Sequence, residues 1–384
     1  VWLVYAIEDY GFTQQAPHAC GLKQFPVQKN SEQKHSDMRF AARKIRRCTV
    51  KTLDTLVDKA LSRRSFLAAA GAVAATTAMA GCSDDGTVTT STGQYSDADV
   101  LNYALNLEYL EAEFYLRAAT GSGLAAADTT PGSASTYQTV GSVIPGSAGA
   151  VPGLSSAQQA LLNEIAYEEQ EHVRFLRSAL GTAAVPRPAL DLSFFGPLAY
   201  TAGFTPTAAG AGSFNPFSSF DNFLVGAYVF EDVGVTAYSG AAPMISAAGV
   251  TAGYLTAAGG ILAVEAYHAA FIRTSLTARA IAAGTASAYP YLGYANQIAA
   301  LRATLTVGNS AAPSSTGSVE TLLTLPATIS SPSAIVPCSP TTGVGFLRTV
   351  NQVLHIVYGS GTVGAKGGGF FPNGVNSIFA TTTA

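Results

Sequence analysis

Charge is scarce in this 384-residue chain, and lysine is scarcer still. Asp, Glu, Lys and Arg make up 12% of it, about half the usual share, so water-facing segments must be built from Ser, Thr, Gly and Ala. After Cys82 there is one lysine, Lys366, and nine basic residues stand against eighteen acidic ones. A body without a basic cluster excludes nucleic acid as a partner. Cysteine is rare too. Of four, Cys20 and Cys48 fall in or before an N-terminal leader, which leaves Cys82 and Cys338, too few for a disulfide framework. Beyond Cys82 no stretch reads as long and apolar enough to span a membrane. Alternating apolar and polar residues, the mark of a half-buried strand, are also missing.

The leader reads as an address. Up to Cys82 there are 12 Lys and Arg against 6 Asp and Glu. Ser62-Arg63-Arg64-Ser65-Phe66-Leu67 precedes a 15-residue Ala/Gly-rich apolar run from Phe66 to Ala80. That order, with small residues at its exit, resembles a twin-arginine export signal. Met79-Ala80-Gly81-Cys82 resembles a lipoprotein cleavage box, which would lipidate Cys82 and tether the chain to a membrane face; ordinary signal peptidase cleavage is the alternative. The resulting division is a leader at 1–37 ahead of Met38, a second candidate start; a signal at 38–82; and a polar linker at 83–96. A helical body at 97–283 and a C-terminal extension at 284–384 follow. The expected location is extracytoplasmic, in the periplasm or at the cell surface.

Four helical segments are expected in the body, at roughly 97–118, 156–181, 219–240 and 257–283, the first opened by Ser96-Asp97-Ala98-Asp99. The connections 119–155 and 182–218 are long for a compact domain, so they should carry short helices or wrap the bundle. In the extension, F-L-R-T-V-N-Q-V-L-H-I-V-Y-G reads as a fifth helix. The fold class is all-α.

The body repeats itself. Residues 168–180 read E-E-Q-E-H-V-R-F-L-R-S-A-L and 264–276 read V-E-A-Y-H-A-A-F-I-R-T-S-L. In register, Glu169 falls on Glu265, His172 on His268, Phe175 on Phe271, Arg177 on Arg273 and Leu180 on Leu276. Steps of three and four put Leu162, Ile165, Glu169, His172 and Leu176 on one face, and Ile261, Glu265, His268 and Ile272 on the matching face. Glu164, Glu168 and Glu171 fall on the solvated side. The first and third helices form a second repeat, in which Glu108 and Glu231 are each followed seven residues on by a tyrosine, Tyr115 and Tyr238. Glu111 lies on the same face as Glu108, but its counterpart is Gly234.

Inward carboxylates need positive compensation, and the arginines lie outside these stripes. Four glutamates and two Glu-x-x-His histidines suit two divalent metal ions, the donor set of dimetal carboxylate bundles. Mixed oxygen and nitrogen donors favour iron, with manganese possible, over a closed structural zinc site. The candidate ligands are Glu108, Glu169, His172, Glu231, Glu265 and His268. Glu111 is a further candidate, and Tyr115 and Tyr238 are candidate hydrogen-bond donors to the ligands. Asp232 and Glu113 should point away from the metals, and His355 should be a packed core residue.

Four stretches carry a resemblance: L-N-L-E-Y-L-E-A-E-F-Y at 105–115, E-D-V-G-V-T-A-Y at 231–238, A-V-E-A-Y-H at 263–268 and the closing G-G-F-F-P-N-G-V-N. Over Asp97 to Val375 the chain resembles the ferritin-like domain family that includes desiccation-related proteins. The resemblance implies a ferritin-like four-helix bundle with long decorated loops. In it Glu108 and Glu231 would be terminal ligands, Glu169 and Glu265 bridging ligands, and His172 and His268 terminal nitrogen ligands. It leaves the activity open among a di-iron oxidase, ferroxidase or peroxide-handling protein, a dimanganese catalase-like enzyme, and a non-enzymatic stress-associated surface protein. Oxygen or peroxide would be the partner in the first two, and the oligomeric state is left open.

Overall fold

The structure, a computed structural model, describes residues 95–146, 149–284, 287–307, 320–324, 335–339 and 342–383. The chain divides into two units, Val1–Ser83 and Asp84–Ala384, and all described residues belong to the second. The leader, the signal with Arg63, Arg64 and Cys82, and all of the linker but its last two residues lie outside them.

Eight helices are described: α1 Asp97–Thr120, α2 Ser156–Leu180, α3 Phe195–Ala202, α4 Phe220–Ala241, α5 Ala247–Ala252, α6 Tyr254–Ala283, α7 Tyr291–Val307 and α8 Val350–Val357. Each of the first two long helices opens on a reciprocal cap. Ser96 Oγ accepts from Asp99 N–H (3.3 Å) while Asp99 Oδ2 accepts from Ser96 N–H (2.7 Å), and Ser155 with Gln158 repeats the arrangement. Ser219 caps α4, whereas α6 follows directly on α5 through Gly253 at φ +90°.

The bundle is two hairpins, α1 packed along α2 and α4 along α6. Apolar residues on all four helices merge into one core, with the expected stripes facing inward. The two long connections are stitched together by a two-residue parallel pairing, Val143 and Ile144 with Leu190 and Asp191. Below them Glu113 holds Arg117 (3.0 Å) and Arg187, so it does point away from the centre of the bundle. Asn102 binds the second connection through Ala183 O and Val185 N–H, both at 3.0 Å.

Two sequence expectations need correction. α7 was not foreseen, because its apolar residues surround it instead of forming a stripe. Second, α6 contains an 18-residue window of mean hydropathy 1.4 and does meet the length and composition of a membrane span. Its Ala, Ile, Leu and Val content raises the average, and its Glu265 and His268 are buried inside the bundle.

The extension docks on α4 through buried charge. Asp232 Oδ2 accepts from Arg273 of α6 (2.7 Å) and Arg302 of α7 (3.0 Å). Glu320 takes Arg302 (2.7 Å) and Arg348. Arg302 also lies over the Tyr228 ring, 4.7 Å from its centre, which uses the planar face of the guanidinium. Nearby, Phe370 of the glycine-rich closing segment packs against Phe195 and Phe230, each with ring centres 4.9 Å away. That segment turns at Gly369, φ +52°, where a Cβ would stand 2.6 Å from Val357 O. Asp232→Ala should therefore cost about 3 kcal/mol, because it removes the buried carboxylate that two buried guanidiniums share; urea denaturation followed by circular dichroism reads that loss.

Candidate metal centre

Seven polar side chains meet in the bundle interior. Glu108 and Glu111 come from α1, Glu169 and His172 from α2, Glu231 from α4, and Glu265 and His268 from α6, all buried. They form two groups with closely spaced donor atoms: Glu108, Glu169, His172 and Glu265 in one, Glu169, Glu231 and His268 in the other. Glu169 belongs to both and Glu265 to the first. Glu111 joins neither group.

Distances support convergence on common points. His172 Nδ1 lies 3.2 Å from Glu108 Oε2, 3.6 Å from Glu169 Oε2 and 3.6 Å from Glu265 Oε1. His268 Nδ1 lies 2.9 Å from Glu169 Oε1 and 3.7 Å from Glu231 Oε2. Ligand atoms each about 2.1 Å from one ion stand about 3 Å apart when at right angles and somewhat farther at wider angles. The ring centres of His172 and His268 are 6.5 Å apart.

Hydrogen bonding makes the stronger case. Among the described residues nine buried side-chain N or O atoms lack a hydrogen-bond partner, and six belong to this cluster. They are both oxygens of Glu169, both of Glu265, Glu231 Oε2 and His268 Nδ1; Glu169 Oε1 and His268 Nδ1 stand 2.9 Å apart, close enough for an ion pair but without the angles of a hydrogen bond. Buried polar atoms are paired as a rule, and leaving them unpaired costs about 1–3 kcal/mol each. The donor set fits two divalent cations: the unpaired atoms are all potential ligand atoms, and they face one another.

The remaining oxygens are fixed by tyrosine. Tyr115 OH donates to Glu231 Oε1 and Tyr238 OH to Glu108 Oε1, each tyrosine crossing to the glutamate of the other helix. That leaves Oε2 of each glutamate turned to its histidine. Burial, then the adjacent carboxylate, pushes both phenols well above their usual range, so they remain donors.

Proton affinities in the ion-free cluster follow from crowding. Burial raises Glu265 and Glu111 well above the usual carboxylate range, with neighbouring carboxylates adding to it. It raises Glu231 to about 8 against the pull of His268. Burial also acts upward on Glu169, but the two imidazoles flanking it prevail and hold it at about 2. For His172 burial works against the charged form, yet Glu108 beside it lifts the ring to about 11; His268, likewise buried, is lifted to about 10, chiefly by Glu231.

Outside the cluster the expected assignments hold for Asp232, which pairs with arginines, and for His355, whose buried ring touches the carbonyls of Ser360 (2.6 Å) and Thr383 (3.2 Å). Glu164 is exposed and Glu171 binds Arg174 at 2.7 Å on the outer face. Glu168 departs from expectation: its Oε2 lies 2.7 Å from His268 Nε2. A helical wheel puts it at the edge of the inward face, and the length of the side chain carries the carboxylate across to α6. Next to Glu111 is an apolar cavity of about 20 Å³, room for one or two water-sized molecules. It is bounded by Leu110, Val233, Gly234 and Phe370. A Cβ on Gly234 would stand 2.4 Å from Glu265 Oε2 and 3.3 Å from Glu111 Oε1, so glycine keeps this side open.

The raised histidines give a signed pH dependence. Both rings hold a proton at pH 7, and an ion can use Nδ1 only after displacing it. Metal uptake should therefore release at least two protons per chain at pH 7, and apparent affinity should fall as pH is lowered. Calorimetric titration with manganese(II) in buffers of different ionisation enthalpy measures that release.

Comparison with known proteins agrees with the geometry. The profile of the ferritin-like domain family matches residues 96–278. The chain is 27% identical over 307 residues to the ferritin-like catalase Nec2 of Nesocodon mauritianus, covering 78% of this chain and 89% of that protein. It is 34% identical over 195 residues to the desiccation-related protein PCC13-62 of Craterostigma plantagineum, covering 48% of this chain and 54% of that protein. No solved structure gives a significant match. The all-α bundle, its buried Glu/His cluster and the matched span lead to one assignment: residues 96–278 form a ferritin-like domain.

Proposed function

We propose that the protein is a dimetal carboxylate protein holding two iron or manganese ions and acting on peroxide or dioxygen, with peroxide disproportionation the first activity to test. The observation that carries this reading is the set of six unpaired buried donor atoms arranged in two groups that share Glu169. Similarity to a protein named a ferritin-like catalase, over most of that protein's length, supports the choice of peroxide.

In this reading Glu108, Glu169, His172 and Glu265 would hold one ion and Glu169, Glu231 and His268 the other. Such a pair would supply the redox equivalents needed to convert two peroxide molecules to dioxygen and two waters. The apolar walls around Glu111 limit water near the site, which strengthens electrostatic interactions there. Gly234 leaves room for a molecule of peroxide size beside the cluster.

The test is metal content and oxygen evolution for the full chain and for a Glu169→Ala/Glu265→Ala double variant. Two ions per chain and oxygen release from peroxide, both lost in the variant, are the expected results. Two ions without turnover would favour a second reading, suggested by the desiccation-related relative: the ions fix the bundle of a stress-associated protein. Chelation would then lower the melting temperature and change nothing catalytic.

We also propose export by the twin-arginine route, with Cys82 a candidate lipid anchor. The order of Arg63-Arg64, the weak apolar run and the small-residue exit supports this. Arg63→Lys/Arg64→Lys should leave the protein in the cytoplasm of a twin-arginine-competent host, as read by cell fractionation; normal export of that variant would overturn it.

A further inference from the structure

The two halves of the cluster are related by the sequence repeat, but two positions break it. Glu111 faces Gly234, and Glu168 on α2 matches Val264 on α6. The second break is an asymmetry in how the histidines are held. His268 Nε2 meets Glu168 Oε2 at 2.7 Å, so its Nδ1 is directed at Glu169 and Glu231. His172 also turns Nδ1 to the carboxylates, but the residue in the place of Glu168 is Val264, which cannot accept a hydrogen bond. The side chain of Glu168 is 35% exposed while that of His268 is 5% exposed, so this carboxylate reaches inward from the surface to the ring.

Resting on the dimetal reading above, we propose that Glu168 is a positioning residue that makes the two metal positions unequal, selectively strengthening the one built from Glu169, Glu231 and His268. The physical basis is direct. A carboxylate accepting from Nε2–H keeps the proton on that nitrogen, leaves the Nδ1 lone pair for the ion, and makes the ring a better donor. It also fixes ring rotation, since His268 is held at both edges. The strengthened group is the one that needs it: it has three donor residues, whereas the His172 group has four. Removing such a partner lowers metal affinity by about 10–100-fold, and here only one ion should feel it.

The experiment is a titration of the ion-free full chain with manganese(II), read by calorimetry and by electron paramagnetic resonance. A coupled pair and an isolated manganese(II) ion give different spectra. Wild type should take two ions and show a coupled signal. Glu168→Gln should keep one ion at wild-type affinity, bind the other about 10–100-fold more weakly, and show the isolated-ion spectrum at limiting metal. Glu168→Asp should restore part of the lost affinity, and Glu164→Gln, an exposed carboxylate one turn earlier on α2, should change neither ion. A Glu168→Gln protein that binds both ions as wild type does, or loses both equally, overturns this inference and leaves the dimetal reading standing. A wild-type protein that binds no manganese overturns both.

Discussion

Glu108, Glu111, Glu169, Glu231 and Glu265 lie together in the interior, none more than 5% exposed, and the architecture is organised around that charge. A buried ion left uncompensated loses several kcal/mol of solvation, so five neighbouring carboxylates could not persist in a core of Leu, Val and Phe on packing alone. Three kinds of group meet the demand. Tyr115 and Tyr238 take one oxygen each of Glu231 and Glu108, the two imidazoles flank Glu169, and the atoms left over face one another in positions suited to cations. The arginines take no part, because they belong to a separate network.

That separation follows from the same repeat. The residue after each terminal glutamate turns off the metal face and meets the arginine that follows each Glu-x-x-His by one turn and a half. Arg177 donates to Tyr109 OH at 2.7 Å in one hairpin, and Arg273 binds Asp232 at 2.7 Å in the other. In the α1–α2 hairpin this contact is a partly buried bond beside the first connection. In the α4–α6 hairpin it has grown into the Asp232–Glu320 network that receives Arg302 and Arg348 from the extension. The duplicated helices thus share a scaffold: the second hairpin holds the C-terminal segment through this buried ion network, and α1 of the first holds it through Asn106, bonded to Asn376 at 2.8 and 3.1 Å, and through Tyr103 OH, which donates to Val350 O at 3.3 Å.

How much of this was legible in sequence depended on periodicity. The four long helices, their inward faces and the six paired ligand candidates came from residues repeating at three and four, and the repeat itself separated Glu108 from Glu111. The outward directions of Glu113 and Asp232 came from the same wheel. α7 was hidden because Tyr, Leu, Ile and Ala occur all round it, leaving no polar face to contrast. Glu168 was misread for a different reason. A wheel records where Cβ points, not how far a flexible carboxylate extends. The exchange of partners between Tyr115 and Tyr238 could not be read either, since each bond joins residues more than a hundred positions apart.

The departures from twofold symmetry fall where they affect chemistry while leaving packing intact. Replacing a glutamate by Gly234 removes side-chain volume beside Glu265 and Glu111 and opens an apolar cavity there. Val264 stands where a second Glu168 would be, and a valine side chain cannot accept from the histidine matched to it across the repeat. A duplicated bundle with two equal positions would give both ions the same affinity and the same surroundings. Here one side of the cluster has an extra buried carboxylate and adjacent free volume, and the other has a histidine held from the surface. Under the proposed dimetal reading, that division would let one position receive a small molecule while the other is held in place, and it comes from two residues of an otherwise repeated pair of helices.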